Sequence, residues 1–227
     1  MENKFQEKYN SIKNRDAKLE VAKKVCQYVK DGDVIGFGSG TTSFIATVEI
    51  AKLVKENNLN ITAIPTSNEI KELCIDLGIP VVSLQEKTPD WCFDGADEVT
   101  PNNWLIKGKG AAMFREKLNI INSKVAYILV DESKFVEKLC QKDFIPVEVF
   151  PDSVNYVANE INKMGATEVI LRKDTMFNTP KVTDNGNYVL DVKFENVDLE
   201  LEKNLKSIVG VIETGLFLGY NNLVIIK

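Results

Sequence analysis

The chain has 227 residues, of which 44% are hydrophobic and 27% are charged. These values are typical of a folded globular protein and exclude intrinsic disorder. Lys and Arg number 28 and Asp and Glu number 33, and the net charge of −5 argues against a dedicated nucleic-acid-binding protein. Histidine is absent, which excludes Ser-His-Asp and Cys-His catalysis within the chain, so acid–base chemistry must use Asp, Glu, Lys, Cys or Tyr.

The first part of the chain alternates helices and strands. Hydrophobic periodicity predicts helices at 16–30, 41–57, 67–77 and 111–123, and strands at 33–37, 61–64, 81–84, 91–93 and 125–130. Gly32 follows the end of the first helix, and Ser67 is placed to cap the third. This alternation predicts a Rossmann-like α/β domain, in which helices cover a parallel sheet.

The pattern changes after about Lys142. The remaining chain predicts strands at 144–150, 168–172, 188–194 and 211–217, and helices at 153–164 and 199–208. Their order, β-α-β-β-α-β with a turn near Asn185-Gly186, predicts a small α+β domain of the split βαβ, ferredoxin-like type. A last strand at 223–226 is expected to return to the large sheet. We therefore predict a large catalytic domain of residues 1–142 and 218–227 and a small domain of residues 143–217.

Four cysteines are scattered along the chain: Cys26, Cys74, Cys92 and Cys140. Their spacing forms no CxxC pair, and with no histidine the sequence predicts no metal site. Each lies in an apolar stretch, which is typical of buried thiols in a reducing compartment. Residues 1–13 are polar, and no apolar run approaches the ~20 residues that span a bilayer. We expect a cytoplasmic protein that binds neither membrane nor nucleic acid.

A glycine-rich turn, GFGSGTT at Gly36–Thr42, joins a predicted strand to a helix. Glycines allow a backbone to approach an anion closely, and the helix start supplies unpaired N–H groups. The spacing is GxGxG instead of GxGxxG, and no acidic residue follows the next strand, so the dinucleotide fingerprint fails twice. A GxxxxGK[ST] loop is also missing from the sequence. The turn predicts a phosphate or carboxylate cradle, with a plain tight turn as the alternative.

An acidic segment, DGADE at Asp94–Glu98, comes directly after a predicted strand. Its three carboxylates repel each other unless they are solvated or bind a ligand, and both interpretations stay open. Lys134 follows the strand at 125–130, where a lone lysine is either a surface charge or a site residue. The glycine-rich turn, the acidic segment and Lys134 all follow the carboxyl ends of predicted strands. Open α/β sheets bind ligands at that edge.

Glu116 lies on the helix that follows Lys107-Gly108-Lys109-Gly110. Its neighbours four residues away are Ala112 and Ile120, and neither forms an ion pair along the helix. A carboxylate with apolar neighbours is a candidate for a raised pKa and for base chemistry. The alternative is a solvated position, because the apolar stripe predicted for this helix is elsewhere, at Phe114, Leu118 and Ile121.

Seven segments taken in order resemble the patterns of type A ribose-5-phosphate isomerases over nearly the whole chain. They read GFGSGTT, DGADE, LIKGKGAAMFREK, DESK, PVEV, TDNGN and GLF. The resemblance implies an aldose–ketose isomerase that interconverts D-ribose 5-phosphate and D-ribulose 5-phosphate in the pentose phosphate pathway. It also implies no cofactor, and a homodimer or a dimer of dimers.

By position, the resemblance implies that Glu116 is the base that moves a proton between C1 and C2. Asp94 and Asp97 would orient the sugar hydroxyls, with Asp94 a candidate for opening the ring, and Lys107 would lie near the enediolate oxygen. Other candidate residues would bind the phosphate and the sugar: Lys18, Ser39, Gly40, Thr41, Thr42, Gly95, Ala96, Gly108, Lys109, Gly110 and Lys134.

Two positions depart from the family patterns. Ser39 stands where the family has Thr, which keeps a hydroxyl. Lys109 stands where the family has Gly, and a positive φ there would strain a lysine by roughly 1–2 kcal/mol. We expect the Lys109 side chain to point to solvent.

Three other classes share the general fold and compete with this interpretation. Glucosamine-6-phosphate deaminase would need a catalytic histidine. A CoA transferase would need a nucleophilic glutamate, a role that Glu116 could fill, and room for CoA, for which the chain is short. A sugar-phosphate-binding regulator would bring a basic helix-turn-helix, which the N-terminal region does not offer.

Overall fold

The computed structural model of the chain describes residues 2–174 and 176–227. These residues form two compact units. The first contains the described chain up to Gly95, with Arg115–Ser133 and Asn222–Lys227, and the second contains Ala96–Phe114 and Lys134–Asn221. In the ranges described, we find no helix that is both long enough and apolar enough to cross a bilayer.

The elements are numbered in chain order. The helices are α1 (Glu2–Ser11), α2 (Arg15–Cys26), α3 (Gly40–Asn57), α4 (Asn68–Asp76), α5 (Met113–Asn122), α6 (Val154–Lys163) and α7 (Leu199–Ser207). The strands are β1 (Val34–Phe37), β2 (Thr62–Pro65), β3 (Trp91–Gly95), β4 (Glu98–Val99), β5 (Leu105–Ile106), β6 (Ala126–Leu129), β7 (Ile145–Val149), β8 (Glu168–Leu171), β9 (Tyr188–Lys193), β10 (Val211–Thr214), β11 (Leu216–Phe217) and β12 (Leu223–Ile226).

The first unit is built on a parallel sheet with the strand order β12-β6-β3-β1-β2. The prediction of a parallel, helix-covered sheet is confirmed, and the last strand does return to it beside β6. Ser67 caps α4 as predicted, because its side chain accepts a hydrogen bond from Ile70 N. The strand predicted at 81–84 is wrong, since Val81 forms only an isolated bridge to Ala63.

The strand order places a topological switch point between β1 and β3. The chain leaves β1 toward β2 on one side, whereas β3 pairs with β1 on the other. Connections that diverge in this way leave a crevice at the carboxyl ends of the two strands. Gly38 follows β1 and Asp94 lies near the end of β3, so both lie at this carboxyl edge of the sheet.

The second unit contains an antiparallel sheet with the order β10-β7-β9-β8, which packs against α6 and α7. This arrangement confirms the predicted split βαβ motif. A further sheet, β11-β5-β4, was not predicted, because two-residue strands carry no measurable periodicity. The second compact unit also contains segments 96–114, 134–142 and 218–221, which the sequence predicts in the large domain. In this unit β5 pairs with β11.

Glu148 explains why the PVEV and TDNGN segments occur together. This carboxylate on β7 is fully buried, and its Oε1 accepts hydrogen bonds from Thr183 Oγ1 (2.8 Å), Asn185 Nδ2 (3.1 Å) and Asn187 Nδ2 (2.9 Å). A buried carboxylate is tolerated when donors compensate for its lost hydration. Glu148 therefore fixes the turn that leads into β9.

Replacing Glu148 with Leu is expected to lower the free energy of unfolding by about 2–4 kcal/mol, because Thr183 is buried and would lose its acceptor. Glu168→Leu is the matched control, since Glu168 is an exposed glutamate on β8 of the same sheet. Chemical denaturation measures both variants. Equal stability of the two would contradict a structural role for the Glu148 network.

Candidate active site

At the switch point the backbone of Gly38 lies against the side chain of Asp94. Gly38 N donates to Phe93 O (2.9 Å), which continues the pairing of β1 with β3. A Cβ at Gly38 would lie 2.3 Å from the Cγ of Asp94 and 2.6 Å from its Cα. Only glycine fits at this position, and the Asp94 side chain is the reason.

Asp94 is almost fully buried, which rules out the solvated turn considered from the sequence. Its Oδ1 accepts hydrogen bonds from Ser39 N (3.2 Å), Ser43 Oγ (3.2 Å) and Gly95 N (2.8 Å). The carboxylate thus fastens the start of α3 to the end of β3. Ser43 was not predicted, because nothing local to the sequence marks a serine inside a helix as a partner of Asp94.

Hydroxyl groups and a lysine gather at the amino end of α3. Ser39 precedes this helix in an extended conformation, and its side chain makes no capping hydrogen bond. Its Oγ lies instead 2.6 Å from Thr66 Oγ1. The Nζ of Lys18 donates to Thr41 Oγ1 (2.9 Å). A helix start with polar side chains favours an anion, and the phosphate or carboxylate cradle stays a prediction.

The remaining cradle residues lie at the same strand ends. Gly40 begins α3 with a φ of +84°, a conformation that favours glycine. A Cβ at Gly95 would lie 3.9 Å from the Cβ of Thr42, which places the two residues beside each other. The structure therefore brings Lys18, Ser39, Gly40, Thr41, Thr42, Asp94 and Gly95 together around the ends of β1 and β3.

Glu116 lies in the first turn of α5 and is only 4% exposed. The predicted apolar stripe of this helix is wrong, because Ile121 is 55% exposed whereas Glu116, Lys117 and Asn119 are buried. Asn119 Nδ2 donates to Ile64 O (2.8 Å), so part of this polar face is fastened to the end of β2. Burial of Glu116 removes its carboxylate from water, which suits a general base.

In the second unit, Asp97 is held by the turn that carries Lys107 and Lys109. Lys109 N donates to Asp97 Oδ2 (3.1 Å). Burial raises the pKa of Asp97, while the Lys109 N–H and then the charge of Lys107 lower it. The negative charge of Asp143 raises this pKa, and the positive charge of Lys134 lowers it. Ala96, a candidate substrate contact, is nearly buried just before Asp97.

The turn Lys107–Ala111 has a constrained backbone. Lys107 is almost fully buried, and its Nζ lies 5.7 Å from the centre of the Phe217 ring. Gly108 has a φ of +99°, and a Cβ there would lie 2.9 Å from the Cβ of Met113. Ala111 N closes the turn on Gly108 O (2.9 Å). Gly110 is exposed, with open space around it.

Lys109 does not have the strained conformation considered for it. The positive φ values of this turn are at Gly108 and Ala111, so a lysine at 109 has ordinary backbone geometry. Its side chain is exposed, but its ammonium also pairs with Asp143. The hydrogen bond from this ion pair raises the pKa of Lys109. The expectation that this side chain simply points to solvent is therefore incomplete.

Glu98, the third carboxylate of the acidic segment, holds a neighbouring loop in place through hydrogen bonds to its backbone. It is fully buried and accepts the backbone N–H groups of Cys140 (2.7 Å), Asp143 (2.8 Å) and Lys142. Glu98 thus places Asp143, which pairs with Lys109. No role for Asp143 was predicted, because the partner that positions it is distant in the sequence.

A cleft of about 350 Å³ opens beside Asp97 and Lys109 in the second unit. Arg172 and Asp191 also line it, and neither was predicted. Across residues 2–174 and 176–227, His, Cys, Asp and Glu side chains form no group of three that could hold a metal ion.

Comparisons with known proteins agree on one family. Residues 62–227 match the family model of ribose 5-phosphate isomerase A (phosphoriboisomerase A). The ribose-5-phosphate isomerase A of Methanocaldococcus jannaschii is 43% identical over 209 residues, which are 91% of this chain and 92% of the relative. That of Oceanobacillus iheyensis is 42% identical over 212 residues, or 92% of this chain and 93% of the relative.

Solved structures give the same result. The ribose 5-phosphate isomerase A of M. jannaschii superposes with a TM-score of 0.90 at 40% identity, covering 94% of this chain and 96% of that one. A D-ribose-5-phosphate isomerase in complex with phospho-erythronic acid has a TM-score of 0.89 at 35% identity, covering 95% of this chain and 96% of that one.

Substituting Gly38 with Ala is expected to destabilise the first unit by several kcal/mol, on the order of 2–4, because Asp94 must leave its position to admit the methyl group. Gly95→Ala is the matched control for stability, since the nearest atom to a Cβ there is 3.8 Å away. Thermal or chemical unfolding compares the two variants. If both unfold alike, the contact between Gly38 and Asp94 does not constrain the fold.

Proposed function

We propose that this chain, which belongs to the ribose 5-phosphate isomerase A family, interconverts D-ribose 5-phosphate and D-ribulose 5-phosphate through an enediolate, with Glu116 as the base. The observation that carries the proposal is the burial of Glu116 on a helix whose polar face was expected to be solvated. With no histidine in the chain, the base must be another titratable group, and a buried carboxylate suits the task.

The proposed reaction starts from the open-chain sugar. The Glu116 carboxylate takes the proton from C2, and the electron pair of the broken C2–H bond forms the C1=C2 double bond. The aldehyde π electrons move to O1, which gives the enediolate. Glu116 then delivers the proton to C1, and a proton passes from O2 to O1, so that C2 becomes the ketone. One C–H bond breaks and another forms, and no outside oxidant or reductant is needed.

Lys107 is proposed to stabilise the negative charge on the enediolate oxygen. An ammonium group withdrawn from water interacts more strongly with a developing oxyanion than an exposed one does. The almost complete burial of Lys107 and its fixed backbone, whose N donates to Gly215 O (2.9 Å), support this role. Such a preorganised charge needs no rearrangement during the reaction.

Asp94 and Asp97 are proposed to orient the sugar hydroxyls, and one of them to carry the proton when the ring opens. Asp94 supports orientation, because its Oδ1 is fixed by three donors. Asp97 supports proton exchange, because burial raises its pKa toward the neutral range. The two carboxylates are three residues apart in the chain, and their surroundings differ.

The phosphate group is proposed to bind at Ser39–Thr42, with Lys18 and Lys134 as the positive partners. Binding energy from a phosphate far from C1 and C2 holds the reacting carbons in place. The hydroxyls and the lysine at the start of α3 support this assignment. On the family resemblance, the proposed substrate-binding residues also include Gly95, Ala96, Gly108, Lys109 and Gly110.

One solved relative is a complex with phospho-erythronic acid. This four-carbon acid phosphate carries a carboxylate beside a hydroxyl-bearing carbon, and the charge and planarity of that carboxylate resemble those of an enediolate. A site that stabilises an enediolate should bind such a compound more tightly than substrate. The relative's ligand therefore supports the enediolate route and provides a probe for this chain.

We also propose a cytoplasmic location and a homodimer or dimer of dimers. None of the four cysteines, all of which the structure describes, forms a disulfide, which suits a reducing compartment. The oligomeric state rests on the family resemblance, and light scattering on the purified chain tests it.

Replacing Glu116 with Gln is expected to reduce kcat by ~10²–10⁴-fold, because the amide keeps the size of the side chain but removes the base. The dissociation constant of phospho-erythronic acid should change far less. Glu56→Gln is the matched control, since Glu56 is an exposed glutamate on α3. If the Glu116 variant keeps more than about a tenth of the wild-type kcat, Glu116 is not the base.

Substituting Lys134 with Ala is expected to weaken binding of ribose 5-phosphate and of inorganic phosphate by a similar factor. The charge of Lys134 also lowers the pKa of Asp97, so binding is best measured at alkaline pH, where Asp97 stays ionised in both proteins. Lys138→Ala removes an exposed lysine nearby in the chain and serves as the control. Unchanged affinity for both ligands would show that Lys134 is only a surface charge.

A further inference from the structure

We propose that Arg172 is a positioning residue for the isomerase reaction, because it orients the Gly108–Lys109 peptide so that the Lys109 N–H faces Asp97. This inference rests on the proposed function, in which Asp97 acts on the sugar. Arg172 lies directly after β8, more than sixty residues along the chain from the turn that it contacts.

Arg172 is itself held in one orientation. Its Nε donates to Asp191 Oδ2 (2.8 Å), and its Nη2 donates to Asp191 Oδ1. Asp191 lies on the neighbouring strand β9, and both side chains are largely buried. A forked, two-bond pair between a guanidinium and a carboxylate fixes the plane of the arginine more firmly than a single contact would.

The third nitrogen of the guanidinium points at the turn. Arg172 Nη1 donates to Gly108 O (3.0 Å) and to Lys109 O (3.0 Å). Gly108 O belongs to the same planar peptide as Lys109 N, which donates to Asp97 Oδ2 (3.1 Å). One peptide group is therefore held between a cation at its carbonyl end and the Asp97 carboxylate at its N–H end.

A peptide at this position needs such a constraint. Gly108 has a φ of +99°, and a glycine adopts positive and negative φ with similar ease, so the peptide after it can rotate. Rotation would turn the Gly108 carbonyl toward the carboxylate of Asp97, and the two oxygens would repel. Two donors hold the Gly108 carbonyl away from Asp97: Ala111 N (2.9 Å) and Arg172 Nη1 (3.0 Å). The guanidinium adds its positive charge to this side of the peptide and so favours the orientation that presents an N–H to Asp97.

The other charged groups around Asp97 do not replace this contact. Lys107 and Lys134 lower the pKa of Asp97 through their charge, Asp143 raises it, and burial raises it most. The Lys109 N–H is the largest of the effects that lower this pKa. Loss of Arg172 should therefore allow the pKa of Asp97 to rise further, and activity that needs ionised Asp97 should be lost at a higher pH.

The contacts of Arg172 argue against a direct role in phosphate binding. Its Nε and Nη2 contact Asp191, which neutralises its charge, and its Nη1 contacts two backbone carbonyls. An arginine that recognises a phosphate usually offers its fork to the ligand. Here the fork is occupied by a carboxylate of the protein itself.

The experiment compares Arg172→Met, Arg172→Lys and Lys206→Met with the wild-type chain. Lys206 is the matched control because its Nζ also bonds a carboxylate, of Glu213 (2.7 Å), and a backbone carbonyl, of Ile212 (2.6 Å), in the same unit. For each protein, kcat and KM for ribose 5-phosphate are measured against pH. The dissociation constant of inorganic phosphate and the free energy of unfolding are measured in parallel.

Arg172→Met is expected to reduce kcat by ~10- to 100-fold at neutral pH, with little change in KM or in phosphate affinity. The acid side of its kcat profile should move to higher pH. Arg172→Lys, which keeps the charge but not the fork, should recover part of both effects. Lys206→Met should lose stability while keeping the wild-type pH profile.

Two results would overturn the proposal. A wild-type pH profile in both Arg172 variants, with only a loss of stability like that of Lys206→Met, would make the arginine purely structural. A loss of phosphate affinity with unchanged kcat would make it a substrate contact. If Arg172→Met does not fold, Arg172→Lys and Asp191→Asn provide the same comparison, because each weakens the fork and keeps side-chain volume.

Asp97→Asn separates this proposal from the function on which it rests. If Asp97→Asn keeps full activity, the role of Asp97 fails, and the positioning of Asp97 by Arg172 fails with it. If Asp97→Asn is inactive while the Arg172 variants behave like wild type, only the present inference fails.

Discussion

The close approach of Gly38 to Asp94 is the constraint on which the candidate site of the first unit depends. Neighbouring parallel strands bring the backbone after β1 onto the side chain near the end of β3, and a single methyl group at Gly38 would occupy the space of the carboxylate. Because glycine has no Cβ, the Asp94 carboxylate can occupy that space. From there it accepts hydrogen bonds from Ser39 N and Ser43 Oγ and fixes the start of α3. The orientation of the helix start, and with it the predicted anion cradle, follows from this contact.

Buried carboxylates perform a similar task in the second unit. Glu98 accepts three backbone N–H groups, and Glu148 accepts three side-chain donors from the TDNGN turn. Burying a charge is costly unless hydrogen bonds replace its hydration, so each carboxylate specifies the loop that supplies its donors. Arg172 is a largely buried cation in the same unit, and acceptors replace its hydration: the Asp191 carboxylate and two backbone carbonyls. Loops that would otherwise be variable are thereby given one conformation.

Burial also determines which titratable groups are suited to chemistry in a chain without histidine. It raises the pKa of Cys26 to about 11 and that of Cys74 to about 12, so both thiols stay protonated and unreactive at neutral pH. The same effect on Asp97 moves a carboxylate toward the pH range in which it exchanges protons. Carboxylates therefore have the advantage over thiols as acid–base groups here, and this agrees with the role proposed for Glu116.

The sequence by itself determined the features that depend on local pattern. Alternating periodicities indicated the parallel sheet and the split βαβ motif, and the motifs identified the family that the comparisons confirm.

Tertiary structure decided what local pattern does not encode. The two-residue strands β4, β5 and β11 exist only through their pairing. The polar face of α5 is buried, and its Asn119 donates to Ile64 O at the end of β2. Arg172 and Asp143 were missed for the same physical reason: a charged side chain gains its role from a partner distant in the sequence, and only the folded chain brings the two within hydrogen-bonding distance.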